Sequence, residues 1–227
     1  MPGTIRYIER AGITGVTEGR YHRTVSDRPA YIAFEGAEGC GKSTQAKRLA
    51  DSIGALLTRE TGGTDIGVRI RDILHDTTVD NLAARAEALL TAADRAQHLA
   101  EVVAPALAAG RPVVSDRSVY SSLAYQGHGR QLDIDHIWRL NEWGTEGLWP
   151  TTVVFLDTPE ETIAERMSRR DLDRFEAAGE EFHARVLHGF RAMAAADPDH
   201  WLTVQAVGSV DRVAQDIRHA LEERGVL

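Results

Sequence analysis

Residues 36–43 read Gly-Ala-Glu-Gly-Cys-Gly-Lys-Ser, the pattern G-x-x-x-x-G-K-S, and this segment constrains the fold more than any other. The apolar run Tyr31–Glu35 precedes it and favours a strand, while a helical pattern begins at Lys42. Glycines let the backbone turn tightly and point several N–H groups at phosphate oxygens, and the helix N-terminus adds partial positive charge. A chance glycine-rich turn would not combine these flanks with Lys-Ser at the correct offset. The segment predicts a phosphate-binding loop.

Two side chains of this loop have specific expected roles. Lys42 is expected to reach the β- and γ-phosphates of a nucleotide, and the Ser43 hydroxyl is expected to coordinate Mg²⁺. The predicted phosphate-binding residues are Gly36, Ala37, Glu38, Gly39, Cys40, Gly41, Lys42, Ser43 and Thr44. The motif alone leaves the function open, because GTPases, ATPases, transporter subunits and small-molecule kinases all share it.

Short apolar runs rich in β-forming residues alternate with longer helical patterns along the chain. The predicted strands are Tyr31–Glu35, Ala55–Thr58, Pro112–Asp116, Thr152–Asp157 and Trp201–Val204. The predicted helices are Lys42–Ile53, Ile66–Leu74, Leu82–Ala108, Ile134–Thr145, Pro159–Ser168, Glu176–Ala196 and Val210–Glu223. This alternation predicts an α/β fold with a five-stranded parallel sheet flanked by helices on both faces. We expect Pro105 to kink or end the longest helix, and Ser209 or Asp211 to cap the last one.

Length and composition limit the classes of protein that remain. The 227 residues suit one domain over residues 30–227, and residues 1–29 read as a flexible tail or, less favoured, an accessory arm. A net charge of −8 argues against nucleic-acid or anionic-membrane partners. The sequence contains no run of about 18 apolar residues, so no membrane-spanning helix is expected. Cys40 is the only cysteine, which excludes an internal disulfide and favours the cytoplasm.

A second polar cluster, Asp116-Arg117-Ser118, follows a predicted strand and mirrors the position of the phosphate loop. Ligands of open α/β sheets bind at the carboxyl ends of the strands. Asp116 is placed to hold Mg²⁺ directly or through water. Arg117 is suited to bidentate contact with a second phosphate, which favours this role over a surface ion pair.

Further stretches carry a resemblance to a known family. They are Phe34–Thr44, Arg59–Thr64, Ala92–His98, Pro105–Gly110, Asp116–Ser118, Ser121–Gly127, Leu140–Glu142, Phe155–Asp157 and Leu172–Glu176. In this order they resemble the thymidylate kinases, which phosphorylate dTMP with ATP. The resemblance covers everything but the tail and implies the P-loop NTPase fold. It also implies conversion of dTMP to dTDP by in-line transfer, ATP as donor, Mg²⁺ as cofactor, and a homodimer formed through helix Leu82–Ala108.

The resemblance assigns roles residue by residue. Positions that match the acceptor-nucleotide site are Thr91, Arg95, Arg117, Ser122, Tyr125, Gln126 and Phe175. Among them, Arg117 and Arg95 resemble the arginines that hold the acceptor phosphate and the thymine base, and Phe175 resembles the aromatic residue beside the deoxyribose. Glu38 matches a loop carboxylate near the acceptor sugar and the metal. The residues expected near Mg²⁺, partly through water, are Glu35, Ser43 and Asp116.

The transferred phosphoryl group also needs a cation that closes over it and excludes water. In this family some members carry a catalytic arginine in the phosphate loop and others carry it in a lid. Ala37, Glu38 and Cys40 fill the variable loop positions here, so the resemblance implies a lid at about residues 166–174, with Arg169 or Arg170 acting. The predicted catalytic residues are Glu38, Lys42, Arg117, Arg169 and Arg170.

Three positions depart from the family pattern. Thr61 replaces a proline, Ser118 replaces a common aromatic residue, and Thr91 replaces a phenylalanine that stacks on the thymine. The last change leaves open a kinase for another or modified nucleoside monophosphate. A catalytically weak nucleotide-binding regulatory protein is a second alternative, and the intact Lys42 and Arg117 argue against it.

Overall fold

The computed structural model describes residues 29–167 and 173–227. They form one five-stranded sheet in which neighbouring strands are parallel, in the order β2-β3-β1-β4-β5. The strands are β1 Tyr31–Glu35, β2 Leu56–Arg59, β3 Val113–Asp116, β4 Thr152–Asp157 and β5 Trp201–Gln205. This confirms the predicted α/β fold. The predicted tail lies, apart from Pro29, outside the described residues and stays a prediction.

Helices connect the strands throughout the described part of the chain. They are α1 Lys42–Ile53, α2 Asp65–His75, α3 Ala84–His98, α4 Val119–Ser122, α5 Ile134–Thr145, α6 Glu160–Met167, α7 Glu180–Ala196 and α8 Val210–Glu223. Ser209 caps α8, since its side chain accepts a hydrogen bond from the Arg212 N–H, as predicted. Within the described ranges, no helix is long and apolar enough to cross a membrane.

Strand β4 shows why helices cover both faces of the sheet. Its side chains alternate between two apolar clusters, because successive residues of a strand point to opposite faces. Phe155 packs into the cluster that contains Phe190 of α7. Val154 packs into the cluster that contains Leu49 of α1 and Ile217 of α8. The sheet is therefore buried on both sides, as parallel sheets usually are.

The longest predicted helix has a change of register inside it. Helix α3 ends at His98, a π-helical segment follows at Leu99–Val103, and an α-helical segment resumes at Ala104–Ala108. The Ala104 N–H donates to the Leu99 carbonyl, five residues back. Pro105 cannot donate a backbone hydrogen bond, and the π segment before it takes up that interruption. The chain therefore continues as a helix past the position where we expected a kink or an end.

Two other element predictions differ from the structure. Helix α4 and the π-helical segment Leu123–Gly129 that continues it were not predicted, because serines and glycines interrupt their pattern. The predicted helix Glu176–Ala196 is a 3₁₀ turn at Glu176–Ala178 followed by α7. Gly179 separates the two with a φ of 91°, a backbone conformation that a helix cannot contain.

Candidate active site

The loop between β1 and α1 wraps around the ammonium group of Lys42. Lys42 Nζ donates to the carbonyl of Gly36 at 3.0 Å and to that of Ala37 at 2.7 Å, and the side chain is buried. Gly36 has a φ of 146°, and a Cβ there would lie 2.9 Å from the Leu156 carbonyl. Only glycine therefore fits this turn. The loop places one buried cation at the amino end of α1, where the helix N–H groups also attract anions.

Ser43 and Asp116 meet beside the loop, although they come from different strand–helix units. The Ser43 hydroxyl donates to Asp116 Oδ2 at 2.5 Å. Asp116 Oδ1 is buried and has no hydrogen-bond partner in the described ranges. Hydroxyl and carboxylate oxygens are ligands that Mg²⁺ prefers. The two residues therefore fit the magnesium role expected of them.

The carboxylate of Glu35 faces the start of α4. Its Oε1 accepts from the Ser118 N–H at 2.8 Å and from the Ser118 hydroxyl at 2.7 Å, and its Oε2 accepts from the Ser121 hydroxyl at 2.6 Å. Burial raises the pKa of Glu35, while the hydrogen bonds from Ser121 and Ser118 and the charge of Arg117 oppose that rise. This geometry shows Glu35 fixing α4 against the end of β1. Its proximity to magnesium stays a prediction.

Arg117 joins the phosphate loop to the neighbouring cavity. Its guanidinium forms an ion pair with Glu38 and donates to the Tyr125 hydroxyl at 3.3 Å and to Ser121 Oγ at 3.2 Å. Its Cζ lies 4.9 Å from the centroid of the Tyr125 ring. Burial alone would lower the pKa of Arg117, but Glu38 and the neighbouring acidic groups raise it well above its ordinary value.

One cavity beside Arg117 collects the predicted acceptor residues. All seven line it: Thr91, Arg95, Arg117, Ser122, Tyr125, Gln126 and Phe175. Glu38 of the phosphate loop also lines it, so this cavity adjoins the donor loop. Arg71 and His75 of α2 line it too, and nothing in the sequence singled them out. Arg71 adds a positive charge, and burial together with the charges of Arg59 and Arg117 lowers its pKa.

Arg95 is held by protein groups from four directions. Its Nε donates to Glu60 Oε2 at 2.7 Å, and its Nη1 donates to Ser122 Oγ at 2.9 Å and to Asn141 Oδ1. Its Nη2 donates to the Ser118 carbonyl at 3.0 Å. The guanidinium has five N–H donors, so most are engaged by the protein itself. Arg95 thus braces the cavity wall in addition to lining it.

Glu60 and His98 extend this network beneath the cavity. His98 Nδ1 lies 3.1 Å from Glu60 Oε1, and His98 Nε2 lies 2.5 Å from Thr58 Oγ1. Burial would raise the pKa of Glu60, but Arg95 and His98 lower it below its ordinary value. The peptide bond between Glu60 and Thr61 is cis. A chain of hydrogen-bonded polar groups, most of them buried, therefore ties the end of β2 to α3.

Asp94 lies beside this network with an incomplete set of partners. Its Oδ1 accepts from the Gly62 N–H at 2.9 Å, whereas its buried Oδ2 has no partner in the part of the chain described. Burial raises the pKa of Asp94 to about 6, although the Gly62 hydrogen bond opposes the rise. An unfolded aspartate titrates near pH 4. Asp94 therefore stabilises the fold fully below about pH 4, and that contribution is lost as the pH rises to about 6.

We expect Asp94→Asn to remove this pH dependence. The asparagine amide can still accept from Gly62 and carries no charge, so the stability of the variant relative to the wild type should rise by up to about 3 kcal/mol between pH 4 and pH 7. Urea denaturation at a series of pH values measures it. Asp51→Asn, at an exposed aspartate of α1, is the matched control and should show no such trend. The expectation would be contradicted if the free energies of unfolding of Asp94→Asn and the wild type differed by the same amount at every pH from 4 to 7.

The carboxyl end of the predicted lid packs against α2. Asp173 Oδ2 lies 2.7 Å from His75 Nδ1, and Asp173 Oδ1 accepts from the N–H groups of Phe175 and Glu176. Burial would raise the pKa of Asp173, but these hydrogen bonds lower it to about 2. The hydrogen bond from the Phe175 N–H to Asp173 holds Phe175 at the cavity wall. Arg169 and Arg170 lie outside the described residues, so their predicted role stays a prediction.

A second cavity also adjoins the phosphate loop. Its walls are Gly39–Gly41 of the loop, Thr44 and Gln45 of α1, Arg166 of α6 and the chain around Gly208 between β5 and α8. Arg166 Nη1 donates to the Gly39 carbonyl at 3.0 Å. Arg166 belongs to the predicted lid, whereas nothing in the sequence predicted that the chain around Gly208 would reach the phosphate loop.

Comparison with known proteins agrees with this geometry. The family model described as "Thymidylate kinase" matches residues 34–217. The thymidylate kinase of Leifsonia xyli subsp. xyli is 45% identical over 207 residues, covering 88% of this chain and 98% of the relative. The thymidylate kinase of Synechococcus sp. is 44% identical over 199 residues, covering 86% and 95%. The thymidylate kinase of Pelotomaculum thermopropionicum is 42% identical over 200 residues, covering 85% and 93%.

The family model runs through the phosphate loop, the Arg117 cluster and the acceptor cavity. The matches to the relatives cover most of this chain and nearly all of each relative. The chain therefore belongs to the thymidylate kinase family.

Proposed function

We propose that this protein transfers the γ-phosphoryl group of ATP to the 5′-phosphate of dTMP, which yields dTDP and ADP. The observation that carries this proposal is the ion pair between Arg117 of the acceptor cavity and Glu38 of the phosphate loop. It brings an arginine suited to a second phosphate next to the loop that receives the donor. The names of the relatives support dTMP as the acceptor.

In this reaction an oxygen of the dTMP phosphate attacks the γ-phosphorus of ATP, and the bond to the β-phosphate oxygen breaks. Lys42 and the loop N–H groups hold the donor phosphates, and Arg117 holds the acceptor phosphate in line with them. Phosphoryl transfer depends mainly on such positioning and on neutralisation of the charge on the transferred group. Mg²⁺, when bound, supplies further positive charge at the donor phosphates, and Ser43 and Asp116 would hold it.

Steady-state assays with ATP and five acceptors test the proposal: dTMP, dUMP, dCMP, dAMP and dGMP. We expect the largest kcat/KM for dTMP. The absence of turnover with every acceptor would favour a nucleotide-binding protein over a kinase. A larger kcat/KM for another nucleotide than for dTMP would mean that this other nucleotide is the substrate.

Thr91 supports a second candidate, a kinase for another or modified nucleoside monophosphate. It lines the acceptor cavity with a small side chain, and its hydroxyl donates to the Ala88 carbonyl at 2.9 Å within α3. A larger or differently shaped base could contact this position. The same panel of acceptors, extended to 5-substituted pyrimidine nucleotides, separates the two candidates.

We expect Thr91→Phe to bind dTMP about 5- to 150-fold more tightly, because aromatic stacking on a base contributes about 1–3 kcal/mol. Calorimetric titration with dTMP measures the change in Kd. Leu227→Phe, at an exposed position near the carboxyl terminus, adds an aromatic ring outside the cavity and outside the proposed dimer surface, and should leave Kd unchanged. Weaker dTMP binding by Thr91→Phe would instead favour the second candidate.

We propose that Arg169 or Arg170 supplies the cation that closes over the transferred group. The support is the residue content of the phosphate loop, which offers one cationic side chain, Lys42. We expect at least one of Arg169→Ala and Arg170→Ala to lower kcat by about tenfold or more, which corresponds to about 1.4 kcal/mol of barrier. Arg212→Ala, at an exposed arginine of α8, is the control. Unchanged kcat in both lid variants would exclude this role.

We also propose a homodimer that forms through α3 and its neighbours, in the cytoplasm. Leu89 of α3 and Ile66 of α2 are more than half exposed, and Trp143 of α5 is 82% exposed. Helices α2 and α5 both pack against α3, so these apolar side chains belong to adjoining elements. The free thiol of Cys40 suits a reducing compartment. Sedimentation equilibrium tests the dimer and should give twice the mass of one chain.

A further inference from the structure

Glu87 is a fully buried carboxylate of α3 that no step of the proposed mechanism uses. It accepts hydrogen bonds from three side chains on other parts of the chain. Gln126 Nε2 donates to its Oε1 at 2.9 Å. Arg130 Nη2 donates to its Oε2 at 3.0 Å, and Arg174 Nη2 donates to the same oxygen at 2.8 Å. A buried acid with this many donors is fixed in one orientation.

The two arginines leave the carboxylate little freedom to turn. The Arg130 guanidinium lies 4.4 Å from the ring centroid of Phe182, and the Arg174 guanidinium lies 4.7 Å from that of Phe175. Arg174 Nε also donates to the Leu74 carbonyl at 2.7 Å. Each arginine is therefore held by packing as well as by its ion pair with Glu87.

This arrangement decides which end of the Gln126 amide is available to a ligand. A carboxylate only accepts hydrogen bonds, so the amide must turn its NH₂ group toward Glu87. The carbonyl oxygen of the amide, Oε1, is then the atom not used by Glu87. It makes no hydrogen bond to any residue that the structure describes. Gln126 lines the acceptor cavity together with Thr91 and Phe175.

We propose that Glu87 is a positioning residue that selects the base by orienting Gln126. With its NH₂ group held by Glu87, Gln126 offers the base a hydrogen-bond acceptor. That matches pyrimidines with an N–H at ring position 3, namely thymine and uracil. Cytosine has an acceptor at the same position, so two lone pairs would face each other, which a buried site rejects. The inference rests on the proposed function and names the feature of the base that the site selects.

Binding measurements test it without relying on turnover. Calorimetric titrations give the Kd of dTMP, dUMP and dCMP for the wild type and for Glu87→Gln. A glutamine at position 87 can accept or donate, so Gln126 is free to turn over. We expect the preference for dTMP over dCMP to narrow by about tenfold, the equivalent of one ordinary hydrogen bond. The ratio of dTMP to dUMP should not change, since both bases carry the N–H.

Glu101→Gln is the matched control. Glu101 is an exposed carboxylate of the π-helical segment after α3 that also accepts a hydrogen bond from a glutamine amide, that of Gln97 at 2.8 Å. It lies outside both cavities, so all three Kd values should match the wild type. An equal change in affinity for dTMP and dCMP in Glu87→Gln would mean that Glu87 only supports the fold, and it would overturn the proposal.

A second variant keeps the test decisive if Glu87→Gln does not fold. Gln126→Met has nearly the same size and removes the amide, so it should lose the preference for dTMP over dCMP. Where Glu87→Gln does fold, adding it to Gln126→Met should cause no further change in that preference. If Gln126→Met kept the full wild-type preference for dTMP over dCMP, the inference would be overturned. A wild type that binds dTMP selectively but transfers no phosphoryl group would instead overturn the proposed function.

Discussion

Replacing Lys42 with methionine should lower kcat by about 100- to 1,000-fold, the range found when one preorganised donor is removed from charge that develops in a transition state. The ammonium group lies within 3.0 Å of two loop carbonyls and is buried at the start of α1. It is therefore already placed where the donor phosphates are expected. Methionine keeps most of the volume of the side chain and removes the charge, so the loop should keep its shape.

Rapid-quench measurements of single turnovers with saturating ATP and dTMP separate this loss from slow product release. Lys47→Met is the matched control, because Lys47 lies on the same helix and pairs with Asp51 at the surface. Its kcat should stay within about twofold of the wild type. A Lys42→Met enzyme with nearly normal kcat would contradict the assignment of the donor site to this loop.

Most of the fold could be predicted because its signals are local. Each strand is a short apolar run, and each observed strand overlaps its predicted range within one or two residues. The phosphate loop combines glycines, a preceding strand and a following helix in consecutive residues. A parallel sheet then brings the residues after β1 and β3 together, as the pairing of Phe34 with Asp116 shows. The Ser43–Asp116 contact follows from that register.

What the sequence did not reveal depends on contacts between distant residues. Glu87 and Arg130 both read as ordinary charged residues, although they form an ion pair in which the Glu87 carboxylate is fully buried. The predicted lid includes Arg166, but it did not specify the hydrogen bond from Arg166 to the Gly39 carbonyl, 127 residues away. The π segments also escaped prediction, since a change from four- to five-residue hydrogen bonding leaves no clear periodicity. Charge alone does not say which of these side chains the fold will bury.

Arg95 shows how the structure adds to a role that resemblance implied. The resemblance links it to the acceptor nucleotide, and the structure places it in the cavity wall. Its hydrogen bonds to Glu60, Ser122 and Asn141 also make it a brace between β2, α3, α4 and α5. Loss of such a buried charged network costs stability as well as binding. Variants of Arg95 would therefore mix the two effects, whereas Arg117 offers a cleaner test.

Arg117→Met should lower kcat/KM for dTMP by about 100- to 1,000-fold while the KM for ATP changes little. The guanidinium lies between the phosphate loop and the acceptor cavity, and it is the group proposed to neutralise the acceptor phosphate. Bidentate contact with a phosphate requires the planar fork of arginine, so Arg117→Lys should recover only part of the loss. The backbone at this residue has a φ of 75°, which strains arginine, methionine and lysine alike.

Arg48→Met is the control for removing an arginine, because Arg48 lies at the surface of α1 in an ion pair with Asp211. Its kcat/KM for dTMP should match the wild type, since exposed pairs of this kind contribute little. Thermal denaturation shows whether Arg117→Met remains folded when its activity is measured. A loss that appears in the KM for ATP rather than for dTMP would place Arg117 on the donor side. It would then fall to Arg71 of α2, which also lines the acceptor cavity, to hold the dTMP phosphate.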